Sequence, residues 1–144
     1  MAVSVFDVAS YILEKRGKMT AMKLQKLVYY CQAWSLVWNE EPLFNEKIEA
    51  WANGPVVREL YDKHQGLFEI SSLGIGDPSV LSKKQREAVN SILEYYGKKS
   101  SQWLSDLTHM EDPWKKARKG LAPSMRGNNE ISHASMMEYY SSLE

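Results

Sequence analysis

The sequence predicts a mostly α-helical fold: one compact helical domain over residues 1–144, with about six helices and a minor short two-stranded β element. Three observations predict it. Apolar side chains recur at three- and four-residue steps through residues 3–16, 20–38 and 82–96, the period of an amphipathic helix. Capping residues bracket those stretches, with Thr20 and Ser82 at starts and Gly17 and Gly97 at ends. Only residues 47–52 and 67–70 read as extended, and both are short.

Each element has its own signal. Phe6, Ala9, Ile12 and Leu13 mark the inner face of the first helix. The second helix is the longest, with a stripe through Leu24, Leu27, Cys31, Trp34 and Trp38, widened by Val28 and Ser35. Lys23, Lys26 and Tyr30 fall on its opposite side and read as a solvated face. Pro42 interrupts, and Leu43-Phe44 reads as a buried anchor in a loop. A short strand ends at Trp51, Asn53-Gly54 is a turn, and Pro55 suits the first position of a new helix that Gly66 stops. Residues 72–80 read as loop. Ser82 and Gln85 form a capping box for a helix ending at Tyr96. Ser100 or Ser101 caps a short helix carrying Trp103, Leu104 and Leu107. Residues 109–112 read as a break, and Asp112 caps one or two turns that begin at Pro113. A loop over 120–129 leads to a last helix capped by Ser132, with Met136, Met137 and Tyr140 inward.

Composition excludes several classes. Eighteen basic and eighteen acidic residues cancel, so the global charge does not favour nucleic acid or an anionic membrane. The single cysteine, Cys31, permits no disulfide within the chain and sits on an apolar stripe, where it reads as core. No apolar run reaches the ~18 residues of a membrane span, and the N-terminus lacks a signal-peptide pattern. The expectation is a cytoplasmic protein. His64, His109 and His133 show no metal-ligand spacing, and Gly74-Ile75-Gly76 is no phosphate loop. No cofactor, metal or catalytic set is expected.

Three stretches are distinctive together: Met22-Lys23-Leu24-Gln25-Lys26-Leu27-Val28-Tyr29-Tyr30, then Glu49-Ala50-Trp51-Ala52-Asn53-Gly54-Pro55-Val56, then Leu104-Ser105-Asp106-Leu107-Thr108-His109 with Pro113-Trp114. In order and spacing they closely resemble the Panacea-domain family, also described as SocA-like or GepA-like proteins, over residues 5–118. The resemblance implies an antitoxin of a bacterial or phage toxin–antitoxin system. Such a protein is not an enzyme. It binds a cognate protein toxin encoded by a neighbouring gene, and some members hand the toxin to a cellular protease. The residues marked for toxin binding are Lys23, Lys26, Tyr30, Trp51, Gly54, Pro55, His109 and Trp114. Tyr139-Tyr140 on the last helix would serve a homodimer.

Two other readings stay open. A DNA-binding regulator is suggested by the tight turn at Gly17-Lys18-Met19, although the second helix is long for a recognition helix. A small hydrolytic enzyme would use His109 with Glu111 or Asp112, although adjacent acids on a loop seldom form an acid–base pair.

Overall fold

The computed structural model describes residues 2–144. Its elements run α1 (Val5–Arg16), β1 (Met19–Thr20), α2 (Ala21–Asn39), β2 (Ile48–Trp51), β3 (Gly54–Val57), α3 (Arg58–His64), β4 (Glu69–Ile70), a 3-10 turn (Pro78–Val80), α4 (Lys83–Tyr96), α5 (Ser101–Met110), α6 (Asp112–Ala117) and α7 (His133–Ser141). The fold is mostly α, as the periodicity predicts. The β content is two small antiparallel pairs rather than one, β1 with β4 and β2 with β3.

Helix ends follow local chemistry. Ser4 and Asp7 make a capping box at the start of α1, and Gly17 leaves it at φ +76°. Thr20, Ser82, Ser100 and Ser132 cap α2, α4, α5 and α7 through their hydroxyls. Of the two serine candidates for α5, Ser100 is the cap. The break before α6 narrows to Glu111, so Asp112 lies inside the helix instead of capping it.

α2 is the centre of the molecule. α1, α4, α5, α7 and β3 all pack on it. From Leu24 to Leu36 every residue except Trp34 is buried. This corrects the solvated outer face expected at Lys26 and Tyr30. Both are 0% exposed. The physical reason is that a helix enclosed on all sides has no outer face, and its polar side chains serve the backbone of neighbouring loops instead. Gln32 accepts from the N–H groups of Leu43 (2.7 Å) and Phe44 (3.3 Å) and donates to the Phe44 carbonyl at 2.7 Å. That triple contact fixes the predicted Leu43-Phe44 anchor. Trp38, expected on the inner stripe, emerges 42% exposed at the end of the helix.

The expected helix from Pro55 is also corrected. Residues 54–57 form β3, and α3 begins at Arg58. Pro55 faces Ala50 in the ladder, while the Ala50 N–H turns away to the Asn129 carbonyl at 2.8 Å. Proline therefore occupies a pair that exchanges no ladder bonds, and its missing N–H breaks nothing. The free side of β2 is taken by the chain before α7, where the Ile131 N–H donates to the Ile48 carbonyl at 2.8 Å. Buried Arg118 ties the 120s loop to this sheet, donating to the carbonyls of Ala50, Ala122 and Met125.

Candidate functional site

The hairpin β2–β3 is where the three distinctive sequence stretches meet. From α2, Gln25 accepts the Val57 N–H at 2.9 Å and donates to the Val57 carbonyl at 3.1 Å. The next residue, Lys26, donates through Nζ to the Pro55 carbonyl at 3.3 Å. Gly54 stands at φ +122°, and a Cβ there would meet Lys26 Cε at 2.6 Å and Thr108 Oγ1 at 3.1 Å. Only glycine suits both the backbone angle and the space. From α5, the Ser105 hydroxyl donates to the Asn53 carbonyl. From α6, the Trp114 indole donates to the Trp51 carbonyl at 2.8 Å, and the His109 ring stacks on Trp114 with centroids 4.1 Å apart.

Six of the eight residues marked from sequence thus form one cluster: Lys26, Trp51, Gly54, Pro55, His109 and Trp114. Most of it is interior. Lys26, Gly54, Pro55 and Trp114 are buried, while Trp51 and His109 are half-buried. No hydrogen bond or ring contact among the described residues joins Lys23 or Tyr30 to it. Lys23 keeps a partly exposed side chain at the start of α2.

Burial dominates the electrostatics here. Desolvation pushes the Lys26 amine down to about 7. His64 and His109 are also lowered, first by desolvation and then by the neighbouring Lys26 charge. His109 Nε2 is buried without a hydrogen-bond partner among the described residues. The half-buried His109 ring lines a cleft of about 700 Å³ beside the hairpin tip, together with Asn53, His64 and the highly exposed Phe68.

A second concavity lies between α2, α4, α5 and α7. It is a groove of about 690 Å³ walled by Trp34, Trp38, Tyr95, Tyr96, Trp103 and Tyr139. Met110 and Leu143 stand at its rim, and Tyr95 and Met110 are each 65% exposed. Glu111 is its one acidic lining residue. Beneath, Tyr30 and Tyr140 both donate to Glu111 Oε1 at 2.7 Å. Tyr30 stacks on Tyr96 at 4.3 Å and Tyr29 bonds the Tyr140 hydroxyl at 3.0 Å. Tyr30 is therefore a support under the groove. Desolvation raises the Glu111 carboxyl, and the two tyrosine bonds partly offset that.

Sequence reasoning missed this groove. Its signals were present: Trp34 and Trp38 one helical turn apart, Tyr95-Tyr96, and Trp103 on a short helix. Glu111 reads from sequence as a loop acid, and nothing in the chain order points it at Tyr30.

The family model described as Antitoxin SocA-like, Panacea domain, matches residues 24–115, well over half of the chain. The chain belongs to the Panacea-domain family. No curated protein and no solved structure matches. The match begins at Leu24 on α2 and ends at Lys115 on α6, so it spans the hairpin cluster whole. The groove is different. This Panacea chain completes it with Tyr139, Tyr140 and Leu143, all beyond the matched span. The family is one of SocA-like antitoxins, which implies a toxin partner in general terms. No described helix is long and apolar enough to cross a membrane.

Proposed function

We propose that this chain neutralises a cognate protein toxin by direct binding, as the antitoxin of a bacterial or phage pair, and that the aromatic groove is the surface it uses. The observation that carries the reading is the concentration of exposed apolar side chains there. Trp38, Tyr95, Trp103, Met110 and Leu143 are all large, all substantially exposed and all around one depression. Aromatic side chains lose little conformational entropy on binding and dominate interface energetics. A patch of this kind marks an interaction site. The hairpin cluster then has the supporting task of locking α2, α5 and α6 together behind the groove. No catalytic step is invoked. The same contact would also serve delivery of the toxin to a protease, and toxin abundance with and without the antitoxin separates delivery from blocking.

The other readings receive less support. A recognition helix must enter a DNA groove, and α2 is enclosed on every side. A hydrolase built on His109 and Glu111 needs the two in contact, whereas Glu111 is held by Tyr30 and Tyr140 and His109 stacks on Trp114.

The test is co-expression with the adjacent gene. The neighbour should arrest growth alone, and this chain should restore growth and co-purify with the neighbour's product. A harmless neighbour, or one that remains lethal, contradicts the proposal.

A further inference from the structure

The groove holds a feature that an apolar docking surface does not need. Both tyrosine bonds to Glu111 end on Oε1. No hydrogen bond from the described residues ends on Oε2. Glu111 is 5% exposed and lines the groove. A carboxylate with one oxygen free of protein donors among the described residues thus lines an aromatic groove.

We infer that the groove takes a cationic side chain, an arginine flanked by apolar residues, presented by the partner protein. This deepens the antitoxin reading and rests on it for the partner's identity. Charge complementarity favours this occupant. A nearly buried carboxylate is costly to leave unpaired, and a guanidinium donates to it through charge-assisted bonds. Guanidinium planes also stack on indole and phenol faces. Trp34 and Trp38 provide such faces, with ring centroids 5.3 Å apart. Trp103 already has the Lys99 ammonium 4.7 Å from its ring, so the Trp34–Trp38 wall is the one assigned to the incoming cation. The Oε1 bonds hold the carboxylate in place before anything arrives.

The test uses n-butylguanidinium as the probe and n-butylurea as its neutral isostere. Each is titrated into the intact protein while the indole N–H signals of Trp34, Trp38 and Trp103 are followed by NMR. The cation should shift these signals saturably and bind about tenfold more tightly than the urea. Glu111→Gln keeps an oxygen acceptor for both tyrosines and should abolish that preference. It should also weaken rescue of the toxic neighbour. If Glu111→Gln fails to fold, Trp38→Ala, at an exposed wall, should weaken the cation alone. Equal binding of cation and urea overturns the inference. So does a lost preference with rescue unchanged, or sedimentation showing that butylguanidinium dissociates a dimer of this chain. A neighbour that is harmless alone sinks the antitoxin reading, and the titration still decides the groove.

Discussion

Lys26 Nζ donates to the Pro55 carbonyl 3.3 Å away, deep inside the molecule, at the point where α2 supports the hairpin. Burial lowers this amine from 10.5 to about 7. The unfolded chain therefore binds more protons than the folded one between those limits, and stability rises with pH across that window. From about pH 7.5 to about pH 9 this contributes up to about 2 kcal/mol. Lys26→Met removes the titration and should flatten the curve over that range. The comparison stops short of pH 10, where the raised hydroxyls of Tyr29 and Tyr30 reverse the slope. Urea unfolding at several pH values, wild type against variant, is the check. Parallel curves would show that Lys26 is not the source.

Gly54→Ala should be among the most damaging single substitutions in the hairpin. It combines a positive φ with a Cβ placed 2.6 Å from Lys26 Cε. The expected loss is about 2–4 kcal/mol. Pairing it with Lys26→Ala should recover part of the loss, because the clash goes and the backbone strain stays. A single variant within about 0.5 kcal/mol of wild type would contradict the close approach.

Glu111 should show a sharp difference between two substitutions. Glu111→Ala strands the Tyr30 hydroxyl and leaves Tyr140 only its bond to Tyr29, at a cost of about 2–4 kcal/mol. Glu111→Gln retains an acceptor and should cost under about 1 kcal/mol. Denaturant midpoints at neutral pH measure both. Equal losses would mean that the tyrosines do not depend on this side chain.

Gln32→Leu should release the loop after α2 by leaving the Leu43 and Phe44 amides without partners. Hydrogen exchange should accelerate at those two amides first, with an overall loss of about 2–3 kcal/mol. Unchanged protection there would refute the anchoring role.

Local signals were enough for most of the helices. Thr20, Ser82, Ser100 and Ser132 cap where their hydroxyls suggest, and the apolar periods of α1 and α4 match their buried faces. The failures involve partners distant in sequence. Gly54-Pro55 reads locally as the entry to a helix, and it is a strand because β2 lies beside it, held on its other edge by the chain at 129–131. Lys26 and Tyr30 read as a wet face because no local pattern reveals that Pro55 and Glu111 wait opposite them. The family blocks converge on the hairpin cluster, and most of its side chains are buried. The groove stayed hidden because its walls come from four helices spread across the chain.

The most direct measurement is the affinity of this chain for the product of the adjacent gene, taken for wild type and two surface variants. Tyr95→Ala with Trp103→Ala strips the groove, and Phe68→Ala strips the hairpin cleft of its most exposed apolar side chain, 79% exposed. The account predicts that the groove variant weakens binding by about a hundredfold with unfolding temperature nearly unchanged, and that Phe68→Ala binds as wild type does. Full affinity in the groove variant, or a loss confined to Phe68→Ala, would contradict it.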